Sequence, residues 1–269
     1  MKFSIVYFTY RPGGLDMLIK SLSKQTYDDY ELIIVDDYAD RDFDAVSKYI
    51  KSYGIDDFKL LRSKKKCYED IAFNQVNAFN TGLLKCTGDV NIIIEDYAWL
   101  KPDGLEKWKN TYDSIGYDTL ITGVGNVFSY REPEKIDDIS VWHKEHDGDF
   151  SASTPMGVWT PETWEWFYSA VPMECWDEMN GLDERFDYHN QLPCMLFPLQ
   201  AKLNGYKFMT DRDNSIDLVH HRDWTNFDAR HWYINRTQNP KYPLKQVNEL
   251  YKRSPNCYTV SEERRCLDE

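Results

Sequence analysis

The stretch SIVYFTYRPGGLDMLIKSLSKQTYDDYELIIVDD, residues 4–37, decides the fold. Near its start Ile5, Val6, Tyr7 and Phe8 form an apolar run, and near its end Leu32 to Val35 form another before two acids. Runs that are apolar on both faces suit strands buried on both sides. Between them Pro12-Gly13-Gly14 breaks the chain, and Leu15, Leu18, Ile19 and Leu22 then fall on one face of a helix. Strand, helix, strand in this order predicts a parallel pair with a right-handed crossover.

The pattern repeats outward. Phe43, Val46 and Ile50 mark a second helix, FKLL at 58–61 a third strand, and Ala72, Val76, Phe79 and Leu83 a third helix ending near Gly88. VNIII at 90–94 reads as the fourth strand, Leu105, Trp108, Tyr112 and Ile115 as the fourth helix, and TLITGV at 119–124 as the next strand. The fold class is therefore α/β, a mostly parallel sheet flanked by helices. Ligands in such sheets bind beyond the carboxyl ends of the strands. That rule singles out Thr9, Tyr10 and Arg11, then Asp36 and Asp37, then Glu95, Asp96 and Tyr97.

From about residue 125 the periodicity weakens. Trp142, Trp159, Trp164, Trp166 and Trp176 crowd the region 140–180, which suits either the wall of a substrate cleft or core. Residues 1–223 are expected to form one domain, with halves at 1–125 and 126–223, and 224–269 a polar C-terminal extension with a helix near 243–252.

Composition narrows the function. The 269 residues are 42% hydrophobic and 15% aromatic, enough for a sizeable core, and carry a net charge of −13. Nucleic acid is not expected as a partner, because phosphate-backbone affinity needs clustered Lys and Arg. No apolar run is long enough to predict a transmembrane helix, and the opening residues lack the pattern of a signal peptide. The six cysteines at 67, 86, 175, 194, 257 and 266 form no CxxC pair, so a reducing, cytoplasmic setting is expected. The sequon at Asn235 to Thr237 matters only in a secretory compartment.

The segments SIVYFTYRPGGLDMLIKSLSKQTYDDYELIIVDDYADRD, NAFNTGLLKCTGDVNIIIED and PDGLEKW, followed by NGLDERFD and NGYKF, resemble a family 2 glycosyltransferase with the GT-A fold. The resemblance covers the first 125 residues well and 180–221 more loosely. It implies a nucleoside-diphosphate sugar such as a UDP- or GDP-sugar as donor, Mn²⁺ or Mg²⁺ as cofactor, and a carbohydrate-type hydroxyl acceptor. It makes 1–125 the nucleotide-sugar-binding half and 126–223 the acceptor-side half. An acidic protein can hold a diphosphate when a divalent cation on Asp or Glu oxygens supplies the positive charge.

Carried over residue by residue, the resemblance assigns Thr9, Tyr10 and Arg11 to the nucleotide-contacting turn and Asp36 to the base or ribose. The alternative for Asp36 and Asp37 is a helix cap or turn. Asn80, in Ala78-x-Asn80-x-Gly82, would lie near the donor or else be a solvated helix residue. Arg62 and Lys64 to Lys66 could touch phosphates, although charge runs are usually solvated.

Counted back from Pro102, the family's acidic triplet falls on Glu95-Asp96-Tyr97, so a tyrosine stands where the family has its metal-binding acid. Asp96 could hold the cation instead, with Glu95 on the ribose, or the site could work without metal. His220, with His221 beside it, matches a position that completes the metal or diphosphate site and favours Mn²⁺; an ordinary strand-end pair is the alternative. The family's catalytic acid pair, counted back from Gly205, falls on Pro193-Cys194. Asp183, Glu184 and Asp187 are the nearby substitutes, and Asp187 is taken as the base. A retaining enzyme would need none. A relative that binds nucleotide or carbohydrate without chemistry remains the alternative function. A nucleotidyltransferase would carry a Gly-rich basic loop after the first strand, which TYRPGG is not.

Overall fold

A computed structural model describes residues 1–10, 14–64, 74–96, 98–130, 168–184, 187 and 192–221, without the side chains of 126–130, 192–196 and 219–221. Arg11, Tyr97, Lys65, Lys66, the tryptophans at 142, 159, 164 and 166, the side chains of His220 and His221, and the extension 224–269 lie outside these residues.

The first half follows the sequence reading. Strands β1 (Phe3–Thr9), β2 (Tyr30–Asp36), β3 (Phe58–Leu61) and β4 (Val90–Ile94) alternate with helices α1 (Leu15–Leu22), α2 (Phe43–Ser52) and α3 (Gln75–Leu83). All pairings among these strands are parallel, in the spatial order β3-β2-β1-β4. Helix α2 begins where Asp42 caps it, accepting from the N–H of Asp44 and Ala45 at 3.0 Å each.

The second half departs from a simple parallel sheet. After short β5 (Ala98–Leu100), α4 (Gly104–Ile115) and β6 (Thr119–Tyr130), strand β7 (Tyr168–Pro172) inserts antiparallel between β4 and β6. Helices α5 (Met173–Met179) and α6 (Leu192–Leu203) follow, and β8 (Lys207–His221) runs parallel to β6 and antiparallel to β5. The eight-stranded sheet is thus mixed, with the order β3-β2-β1-β4-β7-β6-β8-β5. Strand β8 is 15 residues long and pairs with β6 in two runs, 207–210 and 215–221, with the polar residues Asp211 to Asn214 falling between them. The register of that pair shifts between Thr122 and Val124. Gly123 lies at the shift, where a Cβ would come within 2.4 Å of the Tyr168 ring.

Alternate strand residues feed two cores. Phe3, Ile5, Tyr7, Leu32, Ile34, Ile92 and Ile94 pack with α1, α2 and α4 on one face. Val6, Phe8, Ile33, Val35 and Ile93 pack with α3, α5 and α6 on the other. There the Trp176 ring stacks on Phe197 at 3.9 Å and meets Phe79 edge-on at 5.1 Å, so this tryptophan belongs to the core rather than to an acceptor surface. Helix α3 lies close on β1: a Cβ at Gly82 would stand 2.5 Å from Val6 Cγ1. Only glycine permits that approach without moving a neighbour, and it fixes where α3 holds its polar residues.

Candidate nucleotide-sugar site

Strand order brings the sequence-predicted acids to one edge. Thr9 pairs directly with Asp36, and Tyr7 with Ile94, so the ends of β2, β1 and β4 stand side by side. Neighbouring strands are spaced by about 4.8 Å, which sets Asp36 and Glu95 about 10 Å apart across β1. Thr9 is buried between them, and half-buried Tyr10 packs against the α3-side core.

Asp36 is only 1% exposed. One carboxylate oxygen accepts from the Tyr38 N–H at 2.9 Å and the other from Arg41 Nε at 2.5 Å. Burial nevertheless outweighs these contacts and raises its pKa above the ordinary aspartate value. Asp37 serves the fold instead. It accepts from the backbone N–H and hydroxyl of Ser63 at 3.0 and 2.8 Å, tying the end of β2 to the residues after β3. Neither acid caps a helix; α2 is capped by Asp42.

Glu95 is exposed and Asp96 half-buried in the short link between β4 and β5. Strand β8 passes β5 with Ala98 opposite Leu218 and Leu100 opposite Ile216. Among the described residues no group of three or more His, Cys, Asp or Glu side chains forms a metal cage. Two adjacent carboxylates nonetheless suit a Mn²⁺ or Mg²⁺ ion that takes its other ligands from a diphosphate.

A second polar cluster lies on the α3 side. Asn80, 1% exposed, donates to the carbonyl of Leu182 at 2.8 Å and to Glu184 at 2.9 Å, and accepts from the Leu182 N–H at 2.9 Å. It is therefore not a solvated helix residue: its amide docks the NGLDE segment onto α3. Glu184 also accepts from Asn77 at 3.1 Å and pairs with Lys64 at 2.7 Å. Lys64 is thus committed to an internal ion pair rather than to a solvated charge run.

Asp187 is 1% exposed. Its two oxygens accept from the N–H groups of Val76 at 2.6 Å and Asn77 at 3.0 Å, the first turn of α3. The formal cap Asn74 makes no side-chain cap bond, so an acid from 110 residues away along the chain supplies it. Asp187, expected as the base, is thus held at the start of α3, with both of its carboxylate oxygens accepting from the helix terminus. Asp183 on the same segment is half-buried.

Sequence reasoning missed Asn77, Glu184 as an anchor, and Arg62 as a bridge. Arg62 donates to backbone carbonyls of the turn after β2 rather than reaching outward. The available signal was only a polar side chain beside an apolar run; the partners lie far away in sequence.

A parallel half-sheet with acids at the carboxyl ends of β2 and β4, completed by antiparallel strands, defines the GT-A class of fold. Solved structures show the same architecture. S. aureus TarS in complex with UDP-GlcNAc superposes with a TM-score of 0.59 at 13% identity, covering 93% of this chain and 70% of that one. GalNAc-T7 with UDP, GalNAc and Mn²⁺ superposes at 0.61 and 11% identity, covering 94% of this chain and 54% of that one. Residues 5–147 match the model of glycosyl transferase family 2, and the chain belongs to that family. A glucosyl-dolichyl phosphate glucuronosyltransferase of Haloferax volcanii is 32% identical over 118 residues, 42% of this chain and 35% of the relative. The chain thus matches about a third of that relative's length.

Proposed function

We propose that the protein is a glycosyltransferase that moves a sugar from a UDP- or GDP-sugar to a hydroxyl of a carbohydrate-type acceptor. The observation that carries this reading is the shared edge of β2, β1 and β4, where Asp36, Thr9 with Tyr10, and Glu95 with Asp96 line up. A buried carboxylate at the end of β2 suits a base or ribose, which donates N–H or O–H groups. The acids roughly 10 Å away suit the diphosphate end through a cation. Asp96 is the ligand we assign to that cation, with Glu95 on the ribose. His220, assigned as a further ligand on the resemblance to the family, would favour Mn²⁺. The cation would neutralise charge on the departing diphosphate.

The capping geometry of Asp187 favours a positioning role, and half-buried Asp183 is the acid of that segment best able to reach an acceptor. No helix among the described residues is long and apolar enough to cross a membrane.

The reading is tested by incubating the protein with UDP- and GDP-sugars and Mn²⁺ and following release of the nucleoside diphosphate. Slow hydrolysis by the wild type, lost in Asp96→Ala, is expected. Nucleotide binding without any hydrolysis or transfer would favour a binding protein that has lost the chemistry.

A further inference from the structure

We propose that Arg62 is a positioning residue of the donor site, the clamp that sets the turn carrying Asp36. The inference rests on the donor reading above. Arg62 stands one residue beyond β3. Its Nη1 donates to the carbonyl oxygens of Asp36 at 2.7 Å and Tyr38 at 2.6 Å, and its Nη2 to that of Arg41 at 3.3 Å. Its guanidinium carbon lies 4.5 Å over the ring of Phe43, the first residue of α2. One side chain from β3 therefore fixes three carbonyls of the turn 36–41 and the start of the next helix.

The consequence falls on Asp36. Both groups that orient its carboxylate, the Tyr38 N–H and Arg41 Nε, ride on the turn that Arg62 holds. A side chain that fixes Tyr38 and Arg41 at their carbonyls also fixes where those donors point. A planar guanidinium suits this role, because it can fork to several carbonyls while stacking on a ring; an ammonium can do neither at once. Every bond Arg62 makes here is to a protein carbonyl, so it acts on a ligand through Asp36 rather than by touching it.

The test is calorimetric titration of UDP and GDP, each with and without Mn²⁺, into wild type, Arg62→Ala and Arg62→Lys, with thermal unfolding measured alongside. Arg62→Ala is expected to weaken whichever nucleotide the wild type binds by about tenfold at unchanged stoichiometry, because a site that is slightly misplaced loses much of its value. Arg62→Lys is expected to recover only part of that loss. A purely structural role would instead lower the unfolding midpoint and the bound fraction while leaving the Kd of the folded molecules unchanged, and that result overturns the inference. If Arg62→Ala does not fold, Arg62→Lys decides: wild-type affinity overturns the clamp, weakened affinity supports it. A wild type that binds neither nucleotide overturns the donor reading and the clamp with it; wild-type binding that the variants leave intact overturns the clamp alone.

Discussion

Strand β2 carries a buried carboxylate at each end, and the two live under opposite conditions. Glu31, near the amino end, is fully buried; burial pushes its pKa up, but Lys59, the Ser4 hydroxyl at 2.6 Å and the Thr87 N–H and hydroxyl more than offset it. The result is an acid held below its ordinary range. Asp36, at the carboxyl end, has Tyr38 and Arg41, yet burial still dominates and its pKa rises. One end of the strand is a finished polar network. The other is a carboxylate whose charge the protein satisfies less well, which is the condition expected of a group that waits for donors from a ligand. The difference supports the proposal that Glu31 serves the fold and Asp36 the ligand.

Exchanging each acid for its amide breaks the comparison most severely. Glu31→Gln leaves Lys59 beside a neutral group and is expected to lower stability by about 3 kcal/mol, with nucleotide affinity unchanged. Asp36→Asn is expected to weaken nucleotide binding about tenfold to a hundredfold while the unfolding midpoint stays at or above that of the wild type. Denaturant unfolding and calorimetry on both variants read these effects.

Asp187→Ala comes next. It leaves two buried N–H groups at the start of α3 without their acceptor, and a loss of about 2 kcal/mol is expected in denaturant unfolding. If Asp187 were instead the base, the variant would keep its stability and lose turnover. Asp183→Asn gives the complementary pattern, with stability held and turnover lost.

Acid pH sharpens the contrast. A lowered pKa, as for Glu31, contributes stability that is present above the ordinary value of 4.5 and is lost as pH falls through the folded-state value. A raised pKa, as for Asp36, works in reverse: its contribution is present below 3.8 and lost as pH rises through the folded-state value. Unfolding curves below pH 4.5 should therefore fall less steeply for Glu31→Gln than for the wild type. An unchanged acid limb would show that Glu31 is not held as described.

The smallest effect is expected from packing. Gly82→Ala places a methyl against Val6 and should cost about 1–2 kcal/mol by moving α3 on the sheet. Thermal melts of the variant measure it.

Most of the first 115 residues was legible because β1 to β4 and α1 to α4 carry their own apolar period, whereas β5, three residues long, does not. FKLL and VNIII fell where the strands β3 and β4 lie. Strand β7 was not, since YSAVP is five residues long and its direction is set by β4 and β6. The middle of β8 was hidden as well: TDRDNS has no strand pattern of its own, and Asp211 to Asn214 fall between the two runs paired with β6. Within the site, the positions of Asp36, Glu95 and Asp96 at strand ends could be read from apolar runs ending in acids. The roles of Asn80, Glu184 and Asp187 could not, because each depends on a partner about 100 or more residues away. Glu31, just before the apolar run, gave no signal either, because its donors come from Ser4, Lys59 and Thr87.

The most direct measurement of the central claim is a side-by-side titration of UDP and GDP, with Mn²⁺ present, into wild type, Glu31→Gln and Asp36→Asn. The reading predicts that Glu31→Gln binds as the wild type does despite its lower stability, and that Asp36→Asn loses most of the affinity while remaining as stable as the wild type. Equal affinity in Asp36→Asn and wild type, or an equal loss in both variants, would contradict the assignment of the carboxyl end of β2 as the nucleotide site.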